Sequence, residues 1–141
     1  MLAQQLTSSV LLFENSLGHI TQEPDHQLIC LCWHPVLRDV SGLQPLLRQL
    51  LQAQHLTHYP KLLLDEHEAA PYAEAAKSWM VNEWLPRLPS LGGFQSVACV
   101  VATNVFARLS AVPVIAQAQH LHLPYRSFDT EPEARAWLQL Q

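Results

Sequence analysis

Two spacings of apolar residues recur along this chain, one typical of helices and one typical of strands. One face of a predicted helix carries Leu43, Leu46, Leu47, Leu50 and Leu51. Steps of three and four residues keep these leucines on one side of a helix, where they can pack against a core. Continuous apolar runs at 61–65 (KLLLD) and 95–102 (QSVACVVA) instead predict strands covered on both faces.

Shorter strands are predicted before the leucine-rich helix. Residues 9–14 (SVLLFE) predict a first strand, and 18–22 and 27–33 predict the two strands of a β-hairpin. The turn between them is 23–26 (EPDH), where a proline fixes φ and an aspartate favours a local side-chain bond to the backbone.

Prolines and polar caps delimit the first two predicted helices. Ser41 is the expected N-cap of the leucine-rich helix, which places Pro45 in its first turn or at its start. Pro71 is expected to start a second helix, and Pro86 is expected to kink or end it.

The two C-terminal helices are delimited in the same way. Thr103 or Asn104 is expected to cap a third helix, which Pro113 interrupts or restarts. Thr130 and Glu133 have the spacing of a capping box at the start of a last helix.

With a final strand at 123–128, the predicted order is β-β-β-α-β-α-β-α-β-α. Strands that alternate with helices imply a sheet whose second half is parallel, with helices packed on it. A length of 141 residues suits one domain. The expected fold class is therefore α/β: a single domain over 1–141 with a small mixed β-sheet, an N-terminal hairpin and four helices.

Composition narrows the class of protein. Apolar residues make up 49% of the chain and charged residues 14%, against a usual charged share of about 25%, which excludes a disordered chain. Eight Lys and Arg against twelve Asp and Glu give a net charge of -4, the wrong sign for binding nucleic-acid backbones. The longest clean apolar stretch, 97–102, is too short to span a bilayer, and 1–13 lacks the Lys or Arg of a secretory signal. We therefore expect a cytoplasmic protein with no nucleic-acid partner and no transmembrane segment.

Several short segments of the C-terminal two-thirds are similar to a known protein family. These segments are 61–65 (KLLLD), 82–88 (NEWLPRL), 97–101 (VACVV), 105–109 (VFARL), 125–129 (YRSFD) and 133–138 (EARAWL). In them, and in its order of elements over roughly residues 8–140, the chain resembles the STAS/SEC14-type, SpoIIAA-like family of small bacterial proteins.

The resemblance implies a SpoIIAA-like (STAS-like) α/β fold and a non-enzymatic regulatory or binding role, because members of the wider group bind partner proteins, anti-anti-sigma factors among them. Those switch proteins carry a phosphorylatable serine after a strand, at the start of a helix. The corresponding stretch here, 65–72 (DEHEAAPY), has no Ser or Thr, and its acidic residues would repel an added phosphate. We therefore expect a module without the phosphorylation switch.

Asp65, Glu66, His67 and Glu68 form the densest polar cluster, directly after a predicted buried strand. In open α/β sheets, ligands bind outside the carboxyl ends of strands. Carboxylates that flank an imidazole can bind a divalent metal or transfer protons, so the alternative function is a metal-dependent or acid–base enzyme. The simpler interpretation of the cluster is a solvated loop whose acids favour the positive N-terminus of the next helix, because neighbours in sequence rarely all converge on one point.

Two histidine pairs also lie near predicted helix ends, His55 with His58 and His120 with His122. Such pairs suggest zinc, but the negative end of a helix dipole favours histidine without a metal. We assign no metal and no cofactor on this basis.

The cysteines and tryptophans are expected to pack in the core. Cys30 and Cys32 lie two apart on a strand and face one side, with Trp33 on the other. Trp79 and Trp84 are five apart on a predicted helix, so they cannot share one narrow face. One of them is therefore expected to line a groove, a ligand pocket or a partner surface.

These observations favour a module that binds a partner protein or a small apolar ligand near the ends of the 61–65 and 95–102 strands. The residues expected at the rim of its pocket are His67, Glu68, Tyr72, Asn104 and Phe106. The low charge and high leucine content favour a homodimer, because uncovered apolar surface tends to acquire a partner.

Overall fold

Strands and helices alternate after an N-terminal run of three strands in the computed structural model, which describes residues 8–88 and 92–141. The strands are β1 (Val10–Asn15), β2 (Gly18–Glu23), β3 (Leu28–Trp33), β4 (Lys61–Asp65), β5 (Ser96–Val100) and β6 (Tyr125–Phe128). The helices are α1 (Val40–Thr57), α2 (Glu74–Trp79), α3 (Val105–His120) and α4 (Glu131–Gln139). This is the α/β class and the element order that the sequence predicts.

The six strands form one mixed sheet in the order β1-β2-β3-β4-β5-β6. β1, β2 and β3 are antiparallel neighbours, and β3 to β6 are parallel neighbours, which confirms the prediction of a parallel second half. The turn between β1 and β2 is fixed by Asn15, whose side-chain Oδ1 accepts hydrogen bonds from the Leu17 and Gly18 amides at 2.9 and 3.3 Å. The predicted hairpin corresponds to β2 and β3, with the 3-10 turn Pro24–His26 between them.

The two faces of the sheet are covered unequally. The face that we call the helical face packs against α1, α2 and α3, and residues such as Leu31, Leu62 and Val97 form the main core there. The opposite face, which we call the α4 face, packs against α4 through β4, β5 and β6. Because side chains alternate along each strand, neighbouring residues of one strand point to opposite faces of the sheet.

The start of α1 differs from the prediction. Asp39 and not Ser41 is its N-cap, and the Asp39 carboxylate accepts a hydrogen bond from the Gly42 amide at 2.9 Å. Pro45 accordingly lies in the second turn and not in the first. The carbonyl that its missing N–H would have engaged belongs to Ser41, which is exposed, so water can satisfy that group.

Pro71 does not start the second helix, which begins only at Glu74. The backbone at 71–73 is extended and pairs with Arg38 instead: the Arg38 amide donates to the Pro71 carbonyl, and the Ala73 amide donates to the Arg38 carbonyl. After α2 the helical path continues through a π-helical turn (Met80–Trp84) and a 3-10 turn (Leu85–Arg87). The prediction that the helix ends near Pro86 is confirmed.

Pro113 does not interrupt α3, which continues from Val105 to His120. The carbonyl left without a helical partner is that of Leu109, a residue that is 64% exposed, so hydration replaces the lost bond. The predicted capping by Asn104 and the predicted cap at Thr130 are both confirmed by side-chain hydrogen bonds to helix amides. None of the helices in the described ranges 8–88 and 92–141 is both long enough and apolar enough to cross a membrane.

Candidate functional site

A small cavity lies between the helical face of the sheet and helices α1 and α3, closed on one side by the segment after α2. Its volume is about 70 Å³. Most of its wall is apolar, and Trp84, Phe94 and Ile115 are among the residues that form it. The polar groups of the wall come from Trp33, Glu66, Tyr72 and Tyr125.

A buried ion pair supports the polar part of the wall. The Arg38 guanidinium donates from Nη1 to Glu66 Oε1 at 3.0 Å and from Nε to the Ala70 carbonyl at 3.0 Å. It also stacks over the Tyr72 ring at 3.7 Å and lies 5.0 Å from the centre of the Trp33 ring. Arg38 has 0% of its surface exposed, so its charge depends on Glu66 and these rings for compensation.

Glu66 is hydrogen-bonded to Arg38 through one carboxylate oxygen and to a second polar group through the other. Its other carboxylate oxygen, Oε2, accepts from the Cys99 thiol at 3.5 Å. Tyr125, on the adjacent strand β6, borders the same thiol, and its ring forms part of the cavity wall. The two carboxylate oxygens of Glu66 are therefore both engaged by protein groups.

Three buried polar atoms here have no hydrogen-bond partner among the described residues. They are Trp33 Nε1, Arg38 Nη2 and the Tyr125 hydroxyl. Two of the three belong to residues of the cavity wall. An unpaired buried donor costs about 1 to 3 kcal/mol, so a bound molecule that offered an acceptor to one of these atoms would recover that cost.

The cavity wall continues into an outer cleft at the carboxyl end of β5. The outer cleft has a volume of about 210 Å³ and shares Glu66, Ala111 and Ile115 with the cavity. Arg108 and Val112 of α3 lie at its surface side. This position, beyond the carboxyl ends of parallel strands, is where α/β folds commonly bind ligands.

Burial keeps the hydroxyl and thiol groups of the site in their neutral forms. It raises the pKa values of Tyr72, Tyr125 and Cys99 above their ordinary ranges, and the nearby Glu66 carboxylate raises all three further. These groups therefore act as neutral hydrogen-bond donors at neutral pH. A thiolate nucleophile at Cys99 is disfavoured for the same reason.

The structure distributes the predicted rim residues over several places. Tyr72 is buried in the cavity wall. Asn104 caps α3, where its Oδ1 accepts from the Phe106 and Ala107 amides at 2.8 and 3.0 Å. The Phe106 side chain is 71% exposed on the outer side of α3. His67 and Glu68 are both exposed in the loop after β4.

The predicted cluster Asp65–Glu68 does not converge on one point. Glu66 is engaged on the helical face, whereas Asp65 lies near Cys32 on the other side of the sheet, with 3.9 Å between Cys32 Sγ and Asp65 Oδ2. The other oxygen of Asp65 accepts from the His67 amide at 3.0 Å. Asp65 and His67 instead line a separate acidic cleft with Asp129 and Glu131.

Cys30 and Trp33 lie on opposite faces of the sheet. Cys30 packs with α4 and Trp33 packs in the core of the helical face, so the predicted alternation is confirmed. Trp84 lies in the π-helical turn after α2 and lines the cavity, the kind of position that the sequence predicts for either Trp79 or Trp84. His55 and His58 have ring centres 6.3 Å apart and form no cluster with a third metal-ligating side chain among residues 8–88 and 92–141.

Sequence reasoning missed Arg38, Trp33 and Tyr125 as parts of the site. Arg38 pairs with a residue 28 positions away, and local spacing gives no signal of such a contact. Tyr125 was recognisable only as a strand residue, although the alternation along β6 places it on the same face as Cys99 of β5.

Comparison of the chain with models of known protein families, with curated proteins and with solved structures gave no match.

Proposed function

We propose that this protein is a non-enzymatic binding module that holds a small, largely apolar molecule in the cavity between its sheet and α3. The resemblance to STAS-like, SpoIIAA-like regulatory proteins supports a binding role, and the mixed sheet with four helices is compatible with it. In this proposal, ligand occupancy of the cavity is the signal that the module reports.

The observation that carries the proposal is a pair of unpaired donors in a mostly apolar wall. The Tyr125 hydroxyl and Trp33 Nε1 are buried, and neither has a hydrogen-bond partner among the residues that the structure describes. Both groups donate hydrogen bonds, and burial keeps the Tyr125 hydroxyl protonated. The best-matched ligand therefore carries an acceptor oxygen, such as a carbonyl, on an apolar body.

The charges around the cavity favour a neutral ligand. Arg38 Nη1 donates to the Glu66 carboxylate at 3.0 Å, so the two charges compensate each other and leave no net charge to attract an ionic ligand. A further charge buried beside this pair would carry a desolvation cost that the neutral pair does not offset. The matched ligand is accordingly a neutral molecule with a single polar group.

The dimensions of the site set the size of the ligand. A cavity of about 70 Å³ holds only a few non-hydrogen atoms, and the outer cleft of about 210 Å³ allows a narrow chain to extend toward α3. A short linear chain with one carbonyl near its end fits this shape.

A titration with linear methyl ketones, from butanone to octanone, tests the proposal through the fluorescence of Trp33 and Trp84. We expect affinity to rise with chain length until the cleft is filled, because each buried CH₂ contributes about 0.8 kcal/mol. Tyr125→Phe removes one donor and should weaken binding about three- to tenfold.

Two alanines of α3 provide a matched pair of variants for the same titration. Ala111→Leu fills space shared by the cavity and the outer cleft and should abolish binding, whereas Ala116→Leu on the exposed side should leave it unchanged. Ketone binding that is equal in both variants would show that the molecule does not use the cavity, and the proposal would be wrong.

The exposed side of α3 favours a second role, association of two copies of this chain. The side chains of Val105, Phe106, Leu109 and Val112 are between 55 and 71% exposed. Apolar residues spaced three and four apart along a helix form a continuous strip, and such strips commonly mark an interaction surface. We propose that a second copy covers this strip.

A further inference from the structure

The part of the α4 face formed by β1, β2 and the end of β3 carries a cluster that the proposed binding function does not use. Glu14, His19 and His34 come from three adjacent strand regions and offer one carboxylate oxygen and two ring nitrogens. All three ligand atoms lie within 4.8 Å of one another. We propose that this cluster is a binding site for a divalent transition-metal ion of the zinc class.

Sheet register brings the three side chains together. Glu14 and His19 are direct cross-strand partners in the β1–β2 pairing, so their side chains project from the same face. His34 follows β3, and its backbone amide donates to the Leu17 carbonyl at 2.8 Å, which fixes it beside the β1–β2 turn. The site therefore rests on paired backbone and not on a free loop.

The distances between the ligand atoms suit tetrahedral coordination. Zn–N and Zn–O bonds of about 2.0–2.1 Å place neighbouring tetrahedral ligands about 3.3 Å apart. His19 Nδ1 lies 2.9 Å from His34 Nε2, and His34 Nε2 lies 3.6 Å from Glu14 Oε2. These separations lie on either side of the ideal value, so small rotations of the side chains suffice.

The tautomers needed for metal binding are available. His19 would coordinate through Nδ1 with its proton on Nε2, and His34 would coordinate through Nε2 with its proton on Nδ1. Each neutral ring carries one proton, so the proton of the hydrogen bond between the rings moves through solvent to the outer nitrogen of its own ring when the metal binds, and the number of protons does not change.

The surroundings of the cluster also favour a cation. Cys32 is the cross-strand partner of His19, and the Asp65 carboxylate lies beside it, with 3.9 Å between Cys32 Sγ and Asp65 Oδ2. The negative charge of Asp65 on this face of the sheet attracts a divalent cation to the same region. Two histidines and one carboxylate leave a fourth position for water, the donor set typical of zinc sites that stay open to a further ligand.

Calorimetric titration of the full chain with zinc chloride at neutral pH tests the proposal. We expect one saturable event per chain, and we expect His34→Ala to weaken it at least tenfold because it removes a direct ligand. Glu14→Gln alters an exposed side chain without disturbing the core, and it should weaken binding about tenfold through the lost charge.

The double variant His55→Ala/His58→Ala is the matched control, because it removes two neighbouring histidines from the end of α1. It should bind zinc as the wild type does. Cobalt substitution gives an independent readout: visible d–d absorption typical of a tetrahedral site is expected in the wild type and in this control, and it should be lost in His34→Ala. Zinc affinity that is unchanged in both His34→Ala and Glu14→Gln would overturn the proposal.

Discussion

At the scale of single residues, Arg38 imposes the strongest constraint on the candidate site. Its guanidinium is fully buried, and Glu66, with 11% of its side chain exposed, is its charged partner. A buried ion pair contributes little compared with an apolar replacement, but removing one partner leaves an uncompensated charge in the core. The pair therefore acts mainly to hold the cavity wall in position, and it contributes little net stability to the fold.

Arg38→Met should lower the free energy of unfolding by about 3–5 kcal/mol, because Glu66 is then buried without its partner. The double variant Arg38→Met/Glu66→Leu should recover most of that loss, because both charges are gone. Urea unfolding of the two variants and the wild type measures the difference. A double variant no more stable than Arg38→Met would contradict this account of the pair.

The sequence contains too little local information to predict this pair. Arg38 lies in a short segment between β3 and α1 among exposed residues such as Val36 and Leu37, a pattern typical of a solvated loop. Its burial depends on the extended segment at 71–73, which reaches it only in the folded chain. Tyr72, which the sequence predicts at the rim of a pocket, is instead buried in the cavity wall beneath the Arg38 guanidinium.

At the scale of elements, α4 is joined to the hairpin by a second ion pair. Arg135 donates from Nη1 and Nη2 to both carboxylate oxygens of Glu23, at 3.0 and 2.7 Å. Glu23 is the last residue of β2, so the pair connects the antiparallel part of the sheet to the helix that covers the parallel part. The hydrogen bonds and charge of Arg135 lower the pKa of Glu23 despite its burial.

Glu23→Gln should be less stable than the wild type at neutral pH by about 1.5–3 kcal/mol, the usual contribution of hydrogen bonds to a charged group. The folded-state pKa of Glu23 is lowered from 4.5, so its contribution is present above that value and is lost as pH falls through the lower folded-state pKa. The difference between variant and wild type should therefore shrink on acidification.

Urea unfolding at neutral pH and at about pH 3 measures this change. Glu131→Gln is the matched control, since Glu131 also pairs with Arg135 but is 45% exposed and should contribute less than about 1 kcal/mol. A stability difference for Glu23→Gln that is equal at both pH values would contradict the assigned role.

The elements themselves were largely predictable, whereas the effects of proline were not. The order of strands and helices follows from the spacing of apolar residues, which the core of each face reproduces. Pro45 and Pro113 both lie inside helices, because packing of the buried side of α1 and α3 outweighs one lost hydrogen bond on the solvent side.

The proposed metal-ligand cluster could not be predicted from spacing along the sequence. It depends on the register of the β1–β2 pairing, which places Glu14 opposite His19.

At the scale of the whole molecule, α3 connects the cavity to the proposed surface between two copies. Ala111 and Ile115 face the cavity, while Leu109 and Val112 lie on the exposed side of the same helix. A ligand that shifts α3 from inside therefore alters the strip that a second copy would cover. If both proposals hold, ligand binding in the cavity would change the association of two copies through α3.

Leu109→Lys places a charge in the middle of the exposed strip and should convert the proposed dimer to a monomer, because the charge would be buried without a partner. Sedimentation velocity over a range of protein concentrations measures the change. Leu56→Lys is the matched control: Leu56 is 70% exposed, more than the 64% of Leu109, but lies near the end of α1. It should leave the dimer intact. A wild-type chain that sediments as a monomer throughout, or a Leu109→Lys variant that stays dimeric, would contradict the assignment of α3 as the surface between copies.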